Sequence, residues 1–279
     1  MKPVIMPFKF SVAALLAALA LAPSAHATET KEPTASHWGF NLTAYMWLPG
    51  VKGNFSAGPF SRSVDASFID INNQSRRFPL GFMGRAEVHY DRFGFFVDGN
   101  YMSLRLKPLI PKLENISSGL DHELGLMDYG LMYRIFGPTA DEIPGWQGKK
   151  RPNRLDVYAG ARTLWLDNSV TLTDPRGLIP QREFSASKSY TSPIIGGRFV
   201  VDFTPEIFML VDGNVGGFGA QDVTFTGGVM GVVGYRLAAL GVPLSVQAGY
   251  QAVRFELDKG VLQTKSTMNG PLLGLTGYW

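Results

Sequence analysis

The chain has no cysteine among its 279 residues, which excludes disulfides and thiolate metal sites. It carries only four histidines, and none stands in an HExxH array. GxSxG, phosphate-binding glycine loops and zinc-ligand spacings are also missing, so no motif points to a metal, nucleotide or other cofactor and none is expected. Beyond the amino terminus no stretch approaches the roughly 18 to 20 uninterrupted apolar residues that a spanning helix needs. Net charge is scarce too. The formal balance is +3, and two of the lysines, Lys2 and Lys9, fall in the first 27 residues, which hold no acids, leaving 24 basic against 23 acidic side chains. That near-neutrality gives no support for a nucleic acid partner.

Residues 1–27 read as an export signal. Lys2 and Lys9 precede the apolar run from Phe10 to Ala22, and Ala25, His26 and Ala27 supply a small-residue cleavage site, with cleavage expected after Ala27. An uncleaved anchor is the alternative, disfavoured by the shortness of the run. Residues 28–279 then form a single domain.

What the chain has in quantity is apolar and aromatic surface: 45% hydrophobic residues, with 19 Phe, 10 Tyr and 5 Trp. A membrane protein without spanning helices has to be a closed barrel, because every backbone polar group needs a partner in hydrocarbon. Period-two alternation supports this all-β reading, a transmembrane antiparallel up-and-down barrel. In the first segment, 37–48, Trp38, Phe40, Leu42, Ala44, Met46 and Leu48 oppose Asn41, Thr43 and Tyr45. Segments 78–90 and 93–104 flank a tight turn at Asp91-Arg92, and both carry charges on one face only. Segments 122–136 and 154–166 follow, then a hairpin about Thr204-Pro205, then 223–236, 244–255 and 266–279. The count is about ten strands, with eight or twelve as alternatives; an extra hairpin within 49–68 would give twelve.

An even count puts both ends on one side. Residues 49–77, 105–121, 167–192, 218–222 and 256–265 are then external loops, while 91–92, 204–205 and 237–243 are periplasmic turns. The Pro/Gly-rich basic link 137–153 is a long exception on the periplasmic side, and 67–74 (SFIDINNQ) has the composition of a short helix at the mouth. A soluble lipocalin-like barrel also alternates, with its apolar face inside. Aromatics decide against it: Trp38, Tyr90, Phe93, Tyr133, Phe203, Tyr235 and Trp279 fall at one end of the apolar face, and Tyr101 and Trp165 near the other, as interfacial girdles do.

Several stretches, namely 45–50 (YMWLPG), 193–198 (PIIGGR), 212–219 (DGNVGGFG), 234–236 (GYR), 249–250 (GY) and 270–279 (GPLLGLTGYW), resemble a largely uncharacterised group of Gram-negative outer-membrane β-barrel proteins. At Gln251 an amide stands where arginine is expected. The resemblance implies the bacterial outer membrane as location. Leu273, Leu275, Tyr278 and Trp279 resemble the aromatic-ended signal that delivers such chains to the barrel-assembly machinery. Periplasmic chaperones and outer-membrane lipid, including lipopolysaccharide, are then the expected partners. External Lys52, Arg62, Arg76, Arg77, Lys107, Lys112, Arg176, Arg182 and Lys188 suit lipopolysaccharide phosphates.

With the polar face inward, the lumen receives Arg85, Glu87, His89, Asp98, Asp128, Arg134, Asp156, Arg162, Arg198, Asp202, Asp212 and Arg236. Charges in a narrow lumen are tolerated when paired. Counting from Thr204-Pro205 puts Arg198 opposite Asp212 as a bidentate pair, and counting from Asp91-Arg92 puts Glu87 near Asp98, with Arg85 needed between them. Two readings follow: a salt-bridge lattice filling a structural barrel, or a narrow passive pore, the latter favoured by space beside inward Gly228, Gly234, Gly249 and Gly274. A barrel enzyme, a protease or a lipid-modifying one, is the alternative. Its candidates are Asp121, His122 and Glu123 at the external rim, where an imidazole beside carboxylates could activate water.

Overall fold

A computed structural model describes residues 36–57, 60–66, 83–106, 117–143, 148–173, 182–239, 242–260 and 262–279. The expected signal 1–27 and the 67–74 segment lie outside the described residues. Among the described residues there are twelve strands: β1 (Trp38–Trp47), β2 (Gly50–Ala57), β3 (Phe60–Ala66), β4 (Met83–Tyr90), β5 (Phe93–Leu106), β6 (Ser117–Phe136), β7 (Arg154–Thr173), β8 (Arg182–Asp202), β9 (Ile207–Ala220), β10 (Val223–Ala239), β11 (Val242–Lys259) and β12 (Leu262–Tyr278).

Ten of them form a closed antiparallel barrel. β1 pairs with β4, the series runs in order from β4 to β12, and β12 returns to β1. The closing seam is held at its very end, where Phe40 and Trp279 exchange backbone hydrogen bonds of 2.8 and 2.9 Å. The hairpin anticipated within 49–68 exists as β2–β3, yet the barrel count stays at ten. β1 and β2 are one line of chain interrupted at Leu48-Pro49, and both pair along β12, with Asn41–Trp47 against Tyr278–Leu272 and Gly50–Ala57 against Asn269–Leu262. Proline has no N–H to give the ladder, so the line breaks there without changing partner.

Strands run further outward than the alternation suggests. β7 continues to Thr173 and β8 starts at Arg182, both inside the stretch read as an external loop, and β11 and β12 likewise continue to Lys259 and from Leu262. In sequence, 167–173 and 182–187 carry polar residues at both odd and even positions, so no apolar face marks the strand. The β4–β5 turn is tight, with Asp91 in the left-handed region (φ 48°) and Tyr90 paired to Phe93. At the β9–β10 turn Gln221 and Asp222 both have positive φ (48° and 67°), the twist a two-residue hairpin favours.

The outer circumference is apolar. Leu131 is 69% exposed, and Phe95, Ile195, Val215, Val229, Val233, Leu273 and Leu275 are all exposed with it. On β12 the outward series Trp279, Gly277, Leu275, Leu273, Pro271 gives way to Asn269, Thr267 and Lys265. About nine residues of tilted strand make a belt on the order of 20–25 Å tall, the thickness a barrel presents to hydrocarbon. Its lower edge carries exposed Trp38, Tyr90, Phe93, Tyr133, Phe203, Tyr235 and Trp279; its upper edge carries Tyr101, Trp165, Phe225 and Tyr250.

Candidate functional site

Inward side chains alternate with that belt, and all twelve expected lumen charges point inward with partners. At the end of the barrel that carries Trp38 and Trp279, Arg134 Nε donates to Asp156 Oδ1 at 2.8 Å and its Nη1 to the Pro138 carbonyl at 2.6 Å. Arg154 adds a second ion contact to Asp156 at 3.0 Å. Arg236 clamps Asp202 with both terminal nitrogens, at 2.5 and 2.8 Å, while its guanidinium lies 4.4 Å from the Phe208 ring centre. His89 contacts Glu87 at 3.3 Å, its ring seated over Gly94, where an added Cβ would lie 2.7 Å from Nδ1.

One level up, Glu87 is shared. Arg85 Nε donates to its Oε1 at 2.5 Å and Arg198 Nη1 to the same oxygen at 2.5 Å, while Arg85 Nη1 reaches Asp98 at 3.2 Å. Arg85 therefore stands between the two carboxylates, which are diagonal neighbours: Glu87 itself faces Phe96, and Asp98 faces Arg85. The bidentate Arg198–Asp212 pair is not what forms. The two residues are in register on β8 and β9, yet Arg198 gives Asp212 only its Nε, at 3.1 Å, because its other end is drawn across the lumen by Glu87. A second fork beside that of Arg236 is Arg162, which donates to both oxygens of Asp128 at 2.7 and 2.6 Å and to Thr226 Oγ1 at 2.9 Å.

Two tyrosines absent from the sequence-based set complete the network. Tyr158 OH donates to Asp212 at 2.6 Å, and Tyr45 OH to Asp98 at 2.5 Å and to Asn100 at 2.9 Å. Both fall on the polar face of the alternation, but their carboxylate partners come from other strands. Two of the inward glycines are filled by neighbouring rings. The Phe208 ring covers Gly234, with Cζ only 2.2 Å from where a Cβ would sit, and the Tyr158 ring covers Gly196 in the same way. Between the levels remains a cavity of about 30 Å³ bordered by Arg85, Asp98, Arg162, Asn214 and Gln251. That is room enough for ordered water. Arg85 Nη2 and Asn214 Oδ1 are both buried and without a hydrogen-bond partner among the described residues.

The outer half of the lumen departs from a wholly polar interior. Trp47, Met83, Leu124, Leu126, Leu164, Val253, Phe255, Met268 and Leu272 are all buried there and pack into one cluster. In β6 both faces are apolar at Leu124, Leu126 and Met127, which erases the alternation that marks an inside. Asp121, His122 and Glu123 lie within β6, which starts earlier, at Ser117, than the expected His122, and His122 is paired to Leu104 and Asn168. Their side chains lie outside the described residues. In the carboxy-terminal segment Leu273, Leu275 and Trp279 are exposed outward, while Tyr278 turns inward and shares a 2.9 Å hydrogen bond with Ser245 Oγ.

At the rim beside the β4–β5 turn, the hydrogen bond and charge of Asp91 hold the His37 imidazole above its ordinary pKa. The Thr139 hydroxyl, donating to Asp141, holds that carboxyl below its usual range.

No protein-family model and no curated protein matches this sequence. Among solved structures it is similar to the outer membrane protease OmpT from Escherichia coli at 9% identity, with 91% of this chain and 100% of that one covered and a TM-score of 0.48. Ail, the attachment invasion locus protein of Yersinia pestis, solved with the heparin analogue sucrose octasulfate, matches at 10% identity over 87% of this chain and 98% of that one, TM-score 0.36. Neisserial surface protein A matches at 12% identity over 87% and 97%, TM-score 0.30.

Proposed function

We propose that this protein is a structural barrel of the bacterial outer membrane whose lumen is closed by its own charges, rather than a passive pore. The observation that carries the reading is the Arg198–Glu87 bond. β4 and β8 stand four places apart around a ten-strand ring, so the bond spans the lumen rather than following the wall. Tyr45 to Asp98 and Arg162 to Thr226 add further contacts between strands that are not neighbours. Above this level the apolar cluster fills the outer half. An ion entering from either side would have to leave its water for a lattice already neutralised internally.

The apolar belt and its two aromatic edges support the membrane location, and the outward-ending Leu273, Leu275 and Trp279 support recognition by a barrel-assembly apparatus. Above the belt, Arg254 and Lys265 project outward on either side of Glu256 and are more than half exposed. Their height suits lipopolysaccharide phosphates.

Planar-bilayer recording tests the closed lumen. The parent protein is expected to give no conductance steps, and Arg162→Ala or Arg198→Ala to introduce small ones. Regular steps from the parent, altered by either substitution, would favour the pore.

A further inference from the structure

Three side chains from separate stretches of chain converge at the periplasmic rim, outside the lumen: His37 just before β1, Asp91 in the β4–β5 turn and Asp141 in the link after β6. One possible ligand atom of each lies within 4.8 Å of the other two. The convergence is built by the backbone. Asp91 N–H donates to the His37 carbonyl at 3.0 Å, fixing two of the three arms. The third depends on Gly39. A Cβ there would stand 3.1 Å from Ala140 Cβ, so a residue without one lets the link lie close under β1 and bring Asp141 to His37.

The His37–Asp91 contact is a hydrogen bond from Nδ1 to Oδ1 at 2.6 Å. Asp141 makes no hydrogen bond with either residue among those described; its carboxylate accepts from Thr139 Oγ1 at 2.6 Å, and Thr139 N–H is in turn held by Glu142 at 2.9 Å. A simple ion pair would be complete with His37 and Asp91. The second carboxylate, oriented from behind by a hydroxyl, is what a ligand set has and an ion pair lacks.

We propose that His37, Asp91 and Asp141 form a divalent-cation site that takes Zn²⁺ or a similar first-row ion. One imidazole and two carboxylates suit such ions better than the all-oxygen shells of Ca²⁺ or Mg²⁺, and water supplies the remaining position. Bonds of about 2.0–2.1 Å in a tetrahedral arrangement separate neighbouring ligand atoms by about 3.3 Å. The His37–Asp91 contact therefore opens slightly, and Asp141 closes in. His37 and Asp91 are 58% and 43% exposed, so these rotations meet no packed core. The bound ion ties the entry to β1, the β4–β5 turn and the β6–β7 link together.

Calorimetric titration of Zn²⁺ into the untagged, folded barrel in detergent tests the site. One saturable equivalent is expected. His37→Ala, Asp91→Asn and Asp141→Asn should abolish it, asparagine at 91 keeping the left-handed turn, and Thr139→Ala should weaken it about 10–100-fold. Heat-modifiable migration, read in parallel, shows that each variant is still folded. Absence of saturable binding by the parent overturns the proposal, as does unchanged affinity in folded His37→Ala and Asp141→Asn.

Discussion

Arg198 on β8 and Glu87 on β4 meet at 2.5 Å across the barrel, 111 residues apart in sequence, while the same guanidinium holds Asp212 at 3.1 Å on its own wall. All three are buried. A buried ion pair contributes little net stability over an apolar replacement, but removing one partner strands the others. Arg198→Ala is therefore expected to destabilise the barrel by about 3–5 kcal/mol. Combining Arg198→Met with Glu87→Gln and Asp212→Asn should recover much of that loss. Urea unfolding in phospholipid vesicles, followed by tryptophan fluorescence, measures both.

Gly234 is expected to tolerate no larger side chain while Phe208 is present, since the ring occupies the place of its Cβ. Overpacking of this kind costs about 1–3 kcal/mol, so Gly234→Val should lower the unfolding midpoint. Phe208→Ala in the same background should relieve the clash, giving a clear coupling in the double-mutant cycle.

The outward belt predicts an asymmetric response to charge. Leu131→Arg and Val229→Arg put a cation among exposed apolar side chains, and at mid-membrane this costs about 2–4 kcal/mol. Ala substitution at Lys265, above the belt, should stay within about 0.5 kcal/mol. Folding free energies in vesicles decide between a lipid-facing and a water-facing surface.

The closing seam extends past the Asn41–Tyr278 pair to Trp279. Deleting Trp279 removes both backbone hydrogen bonds to Phe40 and the ring pair with it at 5.8 Å. The truncated chain should give a smaller heat-modifiable fraction after refolding into vesicles.

The belt strands were legible because one face of each had to meet hydrocarbon. The Phe93, Phe95, Val97 series and the Asp91-Arg92 turn set β4 and β5 in register from sequence alone, and the ten-strand count follows from such segments. The extensions to Thr173 and from Arg182 were not legible, since polar residues stand at both alternate positions there and alternation carries no signal. Nor was the apolar outer lumen, where Leu124, Leu126 and Met127 remove the contrast between faces. Within the lumen, sequence parity sends Arg198 and Glu87 inward but cannot say that they meet, because adjacency across a ring depends on closure. It sends Tyr158 inward as well, yet only the position of Asp212 gives that hydroxyl its partner.

The account depends most on which way alternate side chains point. The chain has no cysteine, so single-cysteine spin labels along 129–134 of β6 in lipid vesicles report this directly. Labels at 129, 131 and 133 should relax strongly with membrane-dissolved oxygen, and those at 130, 132 and 134 weakly with both oxygen and a water-soluble nickel chelate. Strong oxygen relaxation at the even positions, or nickel relaxation at the odd ones, would contradict it.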